Sequence, residues 1–534
     1  MGPEDPHQQH PDRWSFLNVS HLIEREGIEP TREALVLDGI SHTYGGLRES
    51  SYRVSNSLLK QGLNPDDRVA ISARNCLEYF ELEFGTAGAG CIFIPLSWRL
   101  STDERLRLLQ RSQARTLIAD PDFAEPLMRA RGNGDLPDLE QIVTLDDGSI
   151  GDTGYAEWIA DSPPLKPDVV RPPMTAAHEV IYTSGTTGDP KGVIWTHGTV
   201  LWNATQQIVD FGLRPGDSTY VNLDLNYIGG RHDLTLALLQ QGGTVHLRRS
   251  GGFDAAATLH YLAEHRITHV LWVPTMLHDV LGQAELIDGL DLSSLRMIMC
   301  GGAPLSREMI LQAQSLFPQA DFVQVFGLTE GGGTPTFVPQ HRLLDKVGSA
   351  GLPSMFNEIK IVGEDGAERA TNEVGEILVR GPAVTPGYWD NAAGSAVLVE
   401  DGWLHTGDLG RRDEEGFLYV AGRARDLIIT GGMNVFPADV EHVIAELPDV
   451  DLVAVVGVPD ERWGERVCAV IRRVPGSQLT AQAVTEHCRN RLAGYKKPTR
   501  IAFTEDFPMT ISGKIRKNTI AEHIVSGGIE VQAP

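Results

Sequence analysis

The stretch Tyr182-Thr183-Ser184-Gly185-Thr186-Thr187-Gly188-Asp189-Pro190-Lys191-Gly192-Val193 constrains this chain more than any other, because it joins two strand-like runs through residues with almost no side-chain bulk. Glu179-Val180-Ile181-Tyr182 before it and Val193-Ile194-Trp195 after it are β-branched and aromatic, the composition of strands. Successive backbone N–H groups in a Gly-rich turn form an anion-binding concavity. The hydroxyls add neutral donors and Lys191 adds a mobile positive charge. The pattern is not a P-loop, whose Gly-Lys-Ser/Thr triplet opens a helix. Here Lys191 follows Pro190 and a strand comes next. An ordinary glycine-rich hairpin is the plain alternative, and the length of the Gly/Ser/Thr run argues against it.

At 534 residues the chain is too long for one ordinary core and implies two or more domains. Its net charge of -25, from 71 acidic against 46 basic residues, argues against a nucleic-acid or anionic-membrane surface as the main partner. Any phosphate-bearing ligand must therefore meet local basic patches within an acidic field. Five scattered cysteines form no Cys-x-x-Cys pair, so neither a zinc site nor a disulfide framework is indicated, and a reduced cytoplasm is the simplest compartment. Residues 1–13 are polar and rich in Pro, His and Gln, which reads as a disordered tail without the apolar core of a signal peptide. Pro6 stands where a myristoylation signal needs Ser or Thr, and no stretch approaches the length of a spanning helix.

Strand-like runs at Arg68–Ser72, Cys91–Pro95 and Thr268–Val273 alternate with amphipathic helical stretches such as Asp103–Gln113. That alternation predicts an α/β architecture with parallel sheets. From about Val347 to Val420 short strands with Gly and Asp turns indicate a β-rich subdomain. A compact segment with its own apolar run, Val450–Val458, follows from Asp426.

Further short motifs recur in a telling order: Gly301-Gly302-Ala303-Pro304, Phe326-Gly327-Leu328-Thr329-Glu330, Thr406-Gly407-Asp408, Gly422-Arg423-Ala424-Arg425-Asp426 and Pro508-Met509-Thr510-Ile511-Ser512-Gly513-Lys514. Together with the first loop they make the chain resemble, over nearly its whole length, the adenylate-forming superfamily of acyl- and aryl-CoA ligases, peptide-synthetase adenylation domains and luciferases. The resemblance implies a large N-terminal domain of packed α/β subdomains, residues 14–424. It also implies a small mobile α+β C-terminal domain, residues 425–534, hinged near Arg425.

It further implies an ATP- and Mg2+-dependent ligase that converts a carboxylic acid to an acyl-adenylate, releasing pyrophosphate, and passes the acyl group to CoA. Thr183, Ser184, Gly185, Gly188 and Lys191 would cradle phosphate. Glu330 with the hydroxyl of Thr186 or Thr187 would suit Mg2+, a hard ion that takes oxygen ligands. By resemblance Phe326 lies against adenine and Gly301, Gly302, Ala303 and Pro304 along its edge. Gly327 and Thr329 belong to the same nucleotide motif. Asp408 takes the ribose hydroxyls, and Arg423 the ribose or phosphate. Lys514 would bridge the carboxylate and the α-phosphate. Gly431 and Gly432 would offer the thiol a route with close backbone approach, and Lys496, Lys497 and Arg500 form a basic cluster suited to CoA phosphates or simply to solvent. The partners expected are a small acid and CoA, with no nucleic acid and no membrane span; a carrier protein and a homodimer stay open.

One departure bears on substrate. Tyr227, in Leu225-Asn226-Tyr227-Ile228-Gly229-Gly230, stands where many CoA ligases carry histidine, and Arg231-His232-Asp233 follow at what should be the start of a helix. Asn226, Tyr227, Arg231 and His232 are therefore candidate pocket residues for a polar or aromatic acid. The plain alternative is a solvent-facing first turn with Asp233 favourable at a helix N-terminus. Two other acceptors fit the same family: a carrier-protein thiol, and an arylamine attacking activated nitrite. Outside the class, an inactive nucleotide-binding protein would not need Lys514, Glu330 and Asp408 together.

Overall fold

The computed structural model describes residues 17–146, 148–169, 171–183, 190–489, 491–509 and 515–532. The tail over residues 1–13, the loop residues Ser184, Gly185, Thr186, Thr187 and Gly188, and Lys514 lie outside the described residues.

Local sequence accounts for much of what forms. The helix Thr102–Ser112 starts where expected because Ser101 and Glu104 make a reciprocal capping box, and Gln113 ends it in the left-handed region. The runs read as strands become Arg68–Ser72, Ile92–Leu96 and His269–Trp272. By packing the chain divides into two compact units: residues 1–358 with 379–404, and residues 359–378 with 405–534.

The first unit holds two large sheets. One has seven strands in the order Thr153–Gly154, Gln141–Thr144, Ala114–Ala119, Arg68–Ser72, Ile92–Leu96, Ala177–Thr183 and Lys191–Thr196. All its pairings are parallel except the last, where Ala177–Thr183 turns back antiparallel onto Lys191–Thr196. The other has nine strands, parallel through its middle and closed at both edges by antiparallel pairs. The expected parallel sheets are thus parallel cores with antiparallel rims. The helix Glu78–Ala89 is buried along nearly its whole length, which explains its lack of a polar face.

The second unit is built on the long hairpin of Val450–Asp460 with Gly464–Arg473, paired from Val450↔Arg473 to Asp460↔Gly464 with a register shift between Val450 and Leu452. Alternate residues feed two cores. Val455, Val467 and Ala469 pack with Val440, Ile444 and Val484, while Ala454, Val456 and Val470 pack with Ile520. The period of the apolar run therefore reads as a strand covered on both faces. Packing assigns residues 359–378 and 405–424 to this unit as well, so the packing division falls earlier than the expected boundary at 425. Among the described residues no helix is long and apolar enough to cross a membrane.

Candidate active site

The Gly-rich run is the connection of an antiparallel hairpin: Thr183 and Lys191 are paired in register, and the Thr183 hydroxyl donates to the Lys191 carbonyl at 3.4 Å. A strand does follow the loop, as its sequence requires. Gly192 and Ile194 are tied to the segment around Gly387 through Trp389 N–H to Gly192 O (2.7 Å) and Ile194 N–H to Gly387 O (3.0 Å). The ammonium of Lys191 lies over the Tyr388 ring, 4.9 Å from its centroid.

In the nine-stranded sheet the strands Met297–Gly301 and Asp321–Leu328 run parallel, with Gly301 opposite Val325. That register brings Gly302, Ala303 and Pro304, all exposed, out beside half-buried Phe326 and exposed Gly327. A Cβ on Gly301 would sit 2.6 Å from Val325 Cγ2, so only glycine permits this approach. Gly302, at φ +96°, leads the chain away from the sheet. Both segments leave the carboxyl ends of adjacent parallel strands, the place where open α/β sheets bind ligands. The residues expected at adenine are thus brought together.

Glu330 follows at once, in the short turn Thr329–Gly331. Its Oε1 accepts a hydrogen bond from the Tyr388 hydroxyl at 3.2 Å, and its carbonyl accepts the Thr385 N–H at 3.0 Å. Tyr388 therefore touches both the loop lysine and the motif glutamate, a role that nothing in its local sequence announces. The donor set fits Mg2+: a carboxylate oriented through one oxygen by a hydroxyl keeps its other oxygen for a hard cation. Trp195 fixes the neighbouring residue, donating from Nε1 to Thr329 O at 2.9 Å.

In the second unit Asp408 and Arg423 are cross-strand partners, with Arg423 Nε 2.8 Å from Asp408 Oδ1 and Nη1 donating to Thr406 O at 3.2 Å. Asp408 is held further by its N–H to the Thr406 hydroxyl (3.0 Å). Arg425 is exposed in the turn Ala424–Asp426 and pairs with Asp426 at 3.4 Å. Gly431 and Gly432, at φ +58° and +79°, form the two-residue turn between Thr430 and Met433. Such a turn needs positive φ at both positions, which is sufficient local reason for the glycines. Of the basic cluster, Lys496 is engaged by Asp439 at 2.5 Å.

The segment around Tyr227 departs most from expectation. Arg231 and His232 are wholly buried and Asp233 nearly so, which overturns the solvent-facing first turn. No regular helix starts there: Ile228–Arg231 makes one turn, after which Asp233 leaves helical geometry (ψ 121°) and Leu234 takes φ +65°. The partners of Arg231 and His232 come from elsewhere in the chain. Arg231 Nε is 2.6 Å from Glu83, Nη2 reaches Glu179, and Nη1 donates to Leu225 O at 2.6 Å. His232 Nε2 is 2.6 Å from Glu179 Oε1, and its ring lies 4.4 Å from that of Trp195. Burial pushes the Glu179 carboxyl up, but the charges of Arg231 and His232 outweigh it and hold it down at about 2. Arg231 and His232 thus belong to a core ion-pair network rather than to an open pocket wall. Through Trp195 that network positions Thr329.

Glu83, Glu179 and His232 converge closely enough to hold a metal ion. The guanidinium of Arg231 between the two carboxylates already supplies the positive charge, and a second cation there would be repelled. We therefore assign the cluster to structure.

Tyr227 precedes this segment with a half-buried ring. Burial raises its phenol pKa, and hydrogen bonds with Ser97 and Asn226 act against that rise. With the hydroxyl engaged by protein partners, Tyr227→Phe is expected to cost about 1 kcal/mol of stability and to leave acid preference unchanged. Urea unfolding and a pyrophosphate-release panel check this, and a changed acid preference would place the phenol on the substrate instead.

The chain as a whole is similar to known proteins. The sequence model described as AMP-binding enzyme matches residues 24–389, and that described as AMP-binding enzyme C-terminal domain matches residues 439–514. The chain is 34% identical over 502 residues to a feruloyl-CoA synthase of an Amycolatopsis species, covering 93% of this chain and 97% of that one. It is 35% identical over 510 residues to an indoleacetate–CoA ligase of Aromatoleum aromaticum, covering 95% and 98%. The crystal structure of the anthranilate CoA ligase AuaEII with anthranoyl-AMP superposes with a TM-score of 0.87 at 25% identity, over 96% of this chain and 98% of that one. With both family domains matched, over residues 24–389 and 439–514, the chain belongs to the AMP-binding enzyme family.

Proposed function

We propose that this chain is an ATP- and Mg2+-dependent, AMP-forming acid–CoA ligase whose substrate is an aromatic carboxylic acid. The observation that carries the reading is the meeting of Lys191, Tyr388 and Glu330 beside the strand ends that bear Gly301–Pro304 and Phe326. A cation, a metal-competent carboxylate and an apolar ring with adjacent backbone suit the phosphates, Mg2+ and adenine of ATP. The aromatic substrate class rests on the relatives, which are named for ferulate, indoleacetate and anthranilate.

In the first half-reaction a carboxylate oxygen forms a bond to the α-phosphorus while the bond to pyrophosphate breaks. In the second, the CoA sulfur bonds the acyl carbon and AMP leaves. Negative charge builds on the phosphates, so positioned cations and N–H donors supply the stabilisation. Mg2+, when bound at Glu330, neutralises phosphate charge. Tyr388 orients that carboxylate and steadies the Lys191 ammonium. Asp408, braced by Arg423, is the acceptor for ribose hydroxyls. Gly431 and Gly432 serve the thiol, and Arg425 the rotation that separates the two half-reactions.

The test is pyrophosphate release over aliphatic, aromatic and amino-aromatic acids and nitrite, each with and without CoA. Aromatic acids are expected to release pyrophosphate and to yield thioester only when CoA is present. Release without thioester would instead indicate a carrier-protein or amine acceptor. Glu330→Gln keeps size but removes charge, so the Mg2+ concentration for half-maximal rate is expected to rise and turnover to fall. An unchanged Mg2+ titration would remove Glu330 from the metal site.

A further inference from the structure

Asp233 is a buried carboxyl that the ion-pair network does not use. Arg231 is committed to Glu83, Glu179 and the Leu225 carbonyl. Asp233 is 8% exposed, and among the described residues its Oδ1 has no hydrogen-bond partner. Burial raises its pKa to about 7.

Two glycines, Gly333 and Gly229, lie beside the carboxyl. A Cβ built on Gly333 would lie 3.3 Å from Oδ1, and one built on Gly229 would lie 3.9 Å from Oδ2. The polar side chain beside Gly333 is Asn203, whose Nδ2 would be the atom nearest to a Cβ there and already donates to the Gly332 carbonyl. Leu223 and Leu271, which flank Gly229, make that side of the carboxyl apolar. The carboxyl is also held in place. Leu234 N–H donates to Gln207 Oε1 at 2.7 Å, Gln207 Nε2 to Asn203 Oδ1 at 2.7 Å, and Asn203 Nδ2 to Gly332 O at 2.7 Å. Those bonds tie the segment after Asp233 to the strand Gly333–Val338. That strand pairs back onto the nucleotide motif with Gly333 opposite Leu328, two residues before Glu330. The orphaned carboxyl thus lies one strand pairing away from the expected adenylation chemistry.

Leaving a buried polar atom unpaired is costly, and proteins retain such an atom where something else completes it. Resting on the ligase reading above, we propose that Asp233 determines specificity by accepting a hydrogen bond from an amino or hydroxyl substituent on the aromatic acid. It selects an acid that carries a donor over the same acid with a methyl group in that place.

The probes are 2-, 3- and 4-aminobenzoate and 4-hydroxycinnamate, each against its methyl counterpart, with both pyrophosphate release and ligand-induced thermal shift read for every acid. The parental protein is expected to prefer at least one donor-bearing acid by about 10- to 100-fold. Asp233→Leu is expected to abolish or invert that preference while the KM for ATP stays unchanged. Asp233→Asn, isosteric and still an acceptor, should retain part of it, and keeps the test available if the leucine variant does not fold. If no acid is turned over but the thermal shifts still discriminate donors through Asp233, the ligase reading fails and this inference stands. Equal loss on both members of each pair, or no discrimination by the parental protein in either readout, overturns it and leaves Asp233 completed by a structural water.

Discussion

Lys514→Ala is expected to lower the rate of acid-dependent pyrophosphate release by about 100- to 1000-fold, the scale of removing one positioned electrostatic stabiliser of a transition state. Thioester formation from supplied acyl-adenylate and CoA should be spared. The run Thr510-Ile511-Ser512-Gly513-Lys514 combines a glycine that permits a tight bend with a lysine that offers a compact point charge. The C-terminal family match ends at this lysine. A charge bridging carboxylate and α-phosphate is needed while pyrophosphate departs and not when the thiol attacks, so the two half-reactions should separate. Equal loss in both would assign Lys514 to folding or to substrate binding in general.

Arg231→Met is expected to destabilise the first unit by about 3 to 5 kcal/mol, because it leaves the buried carboxylates of Glu83 and Glu179 without their main countercharge. That is a large part of the roughly 5 to 15 kcal/mol that holds a typical domain folded. The triple variant Arg231→Met, Glu83→Gln, Glu179→Gln should recover most of the loss, since it removes the charges together. A single variant as stable as the parent would show that the guanidinium does not hold this core. The pH dependence has a definite sign. Glu179 is depressed from its ordinary 4.5 to about 2 in the folded protein. Its contribution is therefore fully present above about pH 4.5 and fades as pH falls towards 2. Denaturant unfolding of the parental protein between pH 5 and pH 3 should show this loss, and Glu179→Gln should flatten it.

Sequence alone determined what depends on neighbours along the chain. The hairpin around Lys191 follows from glycine, hydroxyl and β-branched residues in immediate succession, and the helix Thr102–Ser112 from its own capping box. The motifs at Gly301–Pro304 and Phe326–Glu330 are contiguous, so their residues could be named before any fold was known, although their adjacency at two parallel strand ends could not. The tertiary structure alone decided the fate of polar residues whose partners are remote. Arg231 and His232 read equally well as pocket wall or solvated turn until Glu179, 52 residues before Arg231, met both in the core. Tyr388 carries no motif, yet folding places it on Lys191 and Glu330 at once. Asp233 reads as a helix-capping acid, but the chain leaves helical geometry at that residue and sets its carboxyl beside Gly229 and Gly333. Periodicity and turn chemistry act over a few residues and are legible there. Burial and charge pairing are set by which distant segments the sheets bring together, and only the folded chain contains that information.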